Sequence, residues 1–185
     1  MRNDIIKDLK QEIYSRAGKK ENKFGIGAFY HIESVAKNAE ILSKKFGADE
    51  EVVVIASWLH DIASITDYEL YEEHHIHGAK IAEEILSNYH YDKIELVKKC
   101  IINHRGSILN EKLSLEEQIV ADADAISHFD NIPSLLYLAY VQKNMQIEEG
   151  KEFVKNKLQR SYNKLSENSK LYYKEKYRKA MDILN

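Results

Sequence analysis

One proline, Pro133, and seven glycines in 185 residues leave few places where a helix is obliged to stop, and this scarcity of breakers constrains the fold more than any other feature. No window shows the sustained period-two alternation of a strand. Apolar residues recur at helical spacing instead: Val35, Ala39, Leu42 and Phe46, then Ile81, Ile85 and Leu86, then Ile94, Val97 and Ile101, then Ile119, Ala123 and Ile126. Each group predicts one buried stripe, and the expected fold is an all-α helical bundle. The run EEVVVIASWLH, residues 50–60, is apolar nearly all round, as a helix in the middle of a bundle must be. Its end delivers His60 and Asp61.

The punctuation agrees with that reading. Gly47 is a C-cap candidate, Asp49 can cap the next helix, and Ser114 with Glu117 forms a capping box ahead of the helix that carries Asp124. Pro133, tolerated in a first turn, predicts a helix from Pro133 to Met145, followed by helices over Glu148 to Leu165 and Asn168 to Leu184. The length suits one filled core, so residues 1–185 are expected to form a single domain. No stretch approaches the ~20 apolar residues of a membrane helix, and the first residues lack the apolar run of a signal peptide. A cytoplasmic protein with no membrane partner is expected.

Charge and cysteine usage narrow the function. Cys100 is the only cysteine, which removes an internal disulfide or a thiolate cluster and leaves metal binding to histidines and carboxylates, a set that favours hydrolytic over redox chemistry. The net charge of -3 gives no reason to expect nucleic acid as a partner. From Lys151 onward, however, ten Lys or Arg face four Asp or Glu. A solvated helix face is the first reading of that basic tail, and a patch for an anionic partner is the second.

Eight histidines are present, and their order says more than their number: His31, then His60-Asp61, then His74, His75 and His77, then His104, with Asp124 beyond. A His-Asp pair at the end of an apolar helix is costly to bury unless it is paired or bound to an ion. Imidazoles with carboxylates suit one or two divalent ions such as Mn, Fe, Co, Ni, Zn or Mg. An aspartate between two such ions can bridge them with its two oxygens, and Asp61 is the natural candidate.

At these residues the chain resembles the HD-domain superfamily, over about residues 26–130, with 133–185 as appended C-terminal helices. The pieces that carry the resemblance are FYHIESVAKNAEILSKKFGADEEVVVIASWLHDIA, HHIHGAKIAEEIL, VKKCIINHRG and SLEEQIVADADAISHFD. It implies that His31, His60, Asp61 and Asp124 hold a first metal, and that His74 and His104 are candidates for a second. Should His74 fail, His77, three residues on, shares its face better than His75 does. Asp122 competes with Asp124, but two residues turn a helix through about 200°, so both cannot face one pocket, and the loss of Asp122 is expected to do little.

Arg105 could steady a phosphate, and His128 lies one turn beyond Asp124 on the same face. In many relatives a Lys or Arg stands three residues after the doublet; here Ser64 stands there. The resemblance implies a small stand-alone metal-dependent phosphohydrolase, with His60 and Asp61 at the catalytic centre. Its substrate would be a nucleotide or other small phosphoester, cleaved as phosphomonoester or phosphodiester by a metal-activated water. The alternative is a metal-containing module of the same fold that binds a ligand or partner without efficient turnover. A homo-oligomer is compatible with either.

Overall fold

The computed structural model describes residues 1–105 and 114–184. Along them run α1 (Asn3–Ala17), α2 (Gly27–Phe46), α3 (Glu50–Leu59), α4 (Ile62–Thr66), α5 (His74–Ser87), α6 (Ile94–Asn103), α7 (Leu115–Asp130), α8 (Ile132–Tyr137), α9 (Ile147–Lys164) and α10 (Glu167–Ile183). A 3-10 turn, Tyr68–Leu70, follows α4, and a π turn, Leu138–Gln142, follows α8; no strand occurs among the described residues. The all-helical architecture expected from the spacing is the one found among the described residues.

Local chemistry sets the frame around α3. Gly47 ends α2 with φ at 81°, a conformation that costs a residue without Cβ nothing, and its N–H returns to Ser43 O at 2.8 Å. Two residues later the Asp49 side chain accepts from Val52 N at 3.2 Å and starts α3. Every residue from Val52 to Leu59 is buried, because α1, α2, α6 and α7 all pack around this helix. Each such aliphatic side chain contributes roughly 1.5–3 kcal/mol by leaving water. His60 and Asp61 are thereby fixed at the centre of the fold.

Helix α7 is capped as expected, with Ser114 Oγ accepting from Glu117 N at 3.3 Å. The Glu117 carboxylate accepts from Asn103 Nδ2 at 2.6 Å and so ties α7 to α6. Two other expectations are revised. Ile81 and Ile85 are only half-buried; the deeply buried line of α5 is Gly78, Ala79, Ala82 and Leu86, whose mostly small side chains let α5 lie close to α4 and α6.

The helix expected from Pro133 to Met145 stops being α-helical after Tyr137. Lys143 N reaches back five residues to Leu138 O, the wider spacing of a π turn. Gly25 packs against this bulge with φ at 65°, where a Cβ would stand 2.7 Å from Gln142 Nε2 and 2.8 Å from the Tyr137 ring. The buried Asn22 braces the same loop, donating to Ala17 O and Gly25 O and accepting from Phe24 N. That bracing fixes Phe24 at the rim of the cavity described next.

Candidate metal centre

Each imidazole of the centre is aimed by its own backbone. His60 Nδ1 lies 2.7 Å from Ser57 O, His74 Nδ1 2.6 Å from Tyr71 O, and His104 Nδ1 2.6 Å from Ile101 O. A carbonyl only accepts, so Nδ1 carries the proton in all three, and Nε2 presents a lone pair. His31 reaches the same state by another route. The Ser127 hydroxyl gives its only proton to Asp124 O at 2.6 Å, so its oxygen accepts from His31 Nδ1 at 2.9 Å.

The exposed lone pairs converge on Asp61, whose two oxygens face different partners. Oδ2 lies 3.4 Å from His60 Nε2 and 3.8 Å from His31 Nε2. Oδ1 lies 3.3 Å from His74 Nε2 and 3.8 Å from His104 Nε2. Asp124 completes the first side, with Oδ1 3.3 Å from His31 Nε2. Three overlapping groups result: His31–His60–Asp61 and Asp61–His74–His104, which share the Asp61 carboxylate, and His31–Asp124–His128, which joins the first through His31.

The donor set fits divalent cations. His60 Nε2 is fully buried and has no hydrogen-bond partner, a costly condition unless something else uses its lone pair. His74 Nε2 and His104 Nε2 stand 3.2 Å apart, two acceptors facing one another across a gap that only a shared cation or proton makes favourable. Nitrogen lone pairs with carboxylate oxygens suit the borderline divalent ions. The ring orientation set through Nδ1 is the outer-sphere arrangement that metal-ligating histidines use.

Electrostatics point the same way. Burial works against charge on Asp61, but His60, His74 and His104 around it hold its pKa well below the usual carboxylate range. Asp124 is held low against burial by Lys164, whose Nζ sits 2.5 Å from Oδ2, and by His31. Burial and the neighbouring His60 push His104 down to about 3, so it is neutral at any ordinary pH and its lone pair is free for an ion. For His60 burial acts downward and Asp61 more than reverses it, raising the pKa.

Five of the six candidate ligands, His31, Asp61, His74, His104 and Asp124, line one cavity of about 590 Å³, and the fully buried His60 stands behind Asp61. His77 is not among them and pairs loosely with Glu73 at 3.8 Å, while His75 is buried against His74 without joining the cluster. Asp122 turns away and serves the chain instead, accepting from Ser166 N, Ser166 Oγ and Ser169 Oγ. His128 lines the cavity, stacked on His31 with ring centres 4.9 Å apart and its Nδ1 3.1 Å from Ser161 Oγ. Arg105 reaches the rim, where Nη1 donates to Glu72 O at 2.6 Å.

Sequence reasoning missed the far wall. Lys157, Arg160 and Lys164 of α9 all line the cavity, with Lys157 and Lys164 half-buried and Arg160 exposed, so this stripe of the basic tail borders the centre. Their spacing of three and four residues was the available signal. Phe24, Tyr68 and Tyr71 form an aromatic rim, with the Tyr68 and Tyr71 rings stacked at 5.6 Å and Tyr71 stacked in turn on His74 at 5.6 Å.

Comparison with known proteins agrees with this geometry. The HD domain family model matches residues 28–128. An uncharacterized protein of Clostridium beijerinckii is 31% identical over 132 residues, covering 68% of this chain and 82% of that one. Ribonuclease Y of Mycoplasma capricolum is 32% identical over 124 residues, 66% of this chain but only 23% of that longer protein. Among solved structures, the Lin1889 protein of Listeria innocua superposes with a TM-score of 0.66 over 100% of this chain and 93% of its own, at 19% identity. A predicted HD superfamily hydrolase from an uncultured Thermotogales bacterium gives 0.58 over 85% of each chain, at 21% identity. With more than half its length matched by that model, and with histidine–aspartate groups that could hold a metal ion, this chain belongs to the HD domain family.

Proposed function

We propose that this chain is a metal-dependent phosphohydrolase acting on a nucleotide or other small phosphoester. The observation that carries the reading is Asp61, whose two oxygens face separate imidazole pairs on the floor of a cavity lined by cations. Divalent ions held there would supply Lewis acidity and a water ionised near neutral pH.

The chain's own groups do the rest. Lys164 occupies Asp124 Oδ2 and so turns Oδ1 toward His31. His128, pushed down by burial and by Lys157, stays neutral and offers a ring nitrogen to take a proton or to meet a substrate hydroxyl. Phe24, Tyr68 and Tyr71 offer planar faces at the mouth, which suit a nucleobase.

The likeness to ribonuclease Y favours a second reading, in which the substrate is an RNA phosphodiester. One experiment separates these. Purified protein is analysed for bound metal, then assayed with Mn or Co against nucleoside mono-, di- and triphosphates, a phosphodiester dye and a short RNA. Turnover of nucleotides without RNA cleavage supports the first reading, and RNA cleavage alone supports the second. Tightly held metal without turnover on any of them returns the non-catalytic module, and absence of metal affinity removes the centre itself.

A further inference from the structure

Ion pairs on the outer faces of α9 and α10 neutralise many of the basic residues: Lys151 with Glu148, Lys170 with Glu167, Arg178 with Asp182. Lys157 and Arg160 differ. Among the described residues neither has a hydrogen-bond or ion-pair partner, and both line the cavity. Burial pulls the Lys157 pKa down, with Lys164 and Arg160 adding to the effect, and Asp124 and Asp61 are the carboxylates that oppose it. Those two carboxylates are the proposed metal ligands. Once ions neutralise them, the ammonium and guanidinium of α9 have no counter-charge left in the protein.

Charge counting then says what the cavity lacks. Two divalent ions over Asp61 and Asp124, with the Lys164 ammonium beside them, leave three positive charges on the floor, and one phosphoryl group offsets at most two of them. Lys157 and Arg160 remain, and they stand back along α9 from Lys164. At the rise of a helix, Arg160 is about 6 Å and Lys157 about 10 Å from the Lys164 position along the axis. A cation pair on the cavity wall with no partner among the described residues, Lys157 half-buried and Arg160 exposed, calls for a second anionic group on the same ligand.

We propose that Lys157 and Arg160 form a distal phosphate subsite, so that the substrate carries at least two phosphoryl groups, one on the histidine–aspartate floor and one on α9. Phosphate-chain compounds such as nucleoside di- or triphosphates are the class that fits. The proposal rests on the phosphohydrolase reading for its first phosphoryl position, and its test separates the two.

Calorimetry on the Mn-loaded protein compares inorganic pyrophosphate with inorganic phosphate, and initial rates compare ADP with AMP. In the wild type, pyrophosphate is expected to bind at least about 10-fold tighter than phosphate, as one charge-assisted contact predicts. Lys157→Gln combined with Arg160→Gln should weaken pyrophosphate about 10- to 100-fold while phosphate stays within about 3-fold. In turnover the same pair should raise KM for ADP far more than KM for AMP. Melting curves of the two variants establish that they fold, and each single variant provides a milder second case. Equal weakening of both anions, or of neither, overturns the subsite. If neither nucleotide is hydrolysed but the pyrophosphate preference is present and is lost in the variants, the phosphohydrolase reading fails and the subsite stands.

Discussion

Replacing Asp122 with alanine tests whether the two neighbouring aspartates of α7 have been assigned to the right work. Asp122 is buried, and its carboxylate accepts from Ser166 N at 2.9 Å, Ser166 Oγ at 2.5 Å and Ser169 Oγ at 2.6 Å, with Gln118 Nε2 at 3.1 Å. It therefore fastens the turn between α9 and α10 to the core. Hydrogen bonds to a charged group are worth about 1.5–3 kcal/mol each, but they are not additive, and the two hydroxyls can find new partners when the carboxylate is gone. Losing the backbone bond and one hydroxyl bond in full sets the cost of Asp122→Ala at about 3–5 kcal/mol.

For a domain of this size each kcal/mol moves the melting temperature by about 2–4 °C, so a fall of about 6–20 °C is expected. The assay pairs thermal melts in chelator with metal analysis of the loaded protein, on Asp122→Ala and Asp124→Ala side by side. Asp122→Ala should melt early and keep its full metal content, and Asp124→Ala should lose metal from the His31 side. A melting temperature within about 1 °C of wild type refutes the anchoring role. Metal loss in Asp122→Ala as deep as in Asp124→Ala refutes the division of labour. The sequence assigns Asp122 little consequence; its three partners on the far side of the α9–α10 turn lie more than forty residues away and leave no local trace.

Three further outcomes follow from the same geometry. Asp61→Ala should abolish binding at both ligand sets, and His104→Ala should lower the metal count by one; metal analysis of the two variants reads this directly, and an undiminished count in Asp61→Ala sinks the shared-carboxylate arrangement. In metal-free protein His104 titrates at about 3 when folded against its ordinary value of 6.5 when unfolded, so the unfolded chain takes up the proton first. Its contribution to stability is therefore lost as pH falls from 6.5 toward 3, by about 1.4 kcal/mol per unit at most, and the slope of urea midpoints with pH should flatten in His104→Gln; an unchanged slope refutes it. Gly25→Ala forces a Cβ into Gln142 and Tyr137 at positive φ and should cost about 1–3 kcal/mol in urea unfolding, and a neutral result would show that the π turn yields freely.

What can be read from the chain and what cannot divide along physical lines. The run Val52 to Leu59 announces a central helix because no polar face interrupts it, and His60-Asp61 inherits that depth. The six candidate ligands come together because their positions follow from helix ends and faces, which local spacing encodes. Helix α1 escapes the sequence reading: Ile5, Leu9, Ile13 and Ala17 repeat every four residues, but the charged residues between them mask the stripe. The π turn depends on Gly25 from a distant loop, and nothing within residues 133–145 specifies it. Periodicity marks which face of a helix is apolar. It says nothing of which polar face looks onto solvent and which onto a cavity, and for that reason Lys157, Arg160 and Lys164 read as a solvated face until the fold is known.

Ser64 joins these two halves of the problem. The resemblance leads one to expect a cation three residues beyond the doublet, where this chain has Ser64. The side chain is buried at the cavity wall with its hydroxyl unpartnered, so this wall offers one small dipole to the centre and no charge. Positive charge comes instead from α9, a hundred residues later, where Lys164 already grips Asp124 and the other two cations remain unpaired. A cation at position 64 on α4 would sit three residues beyond Asp61 and could address a single phosphoryl group. A row of three on α9 spans about 10 Å of helix axis and can follow a longer anion. The position from which the chain draws its charge thus bears on substrate length, and the same metal floor can serve a different phosphate ester according to which helix faces it.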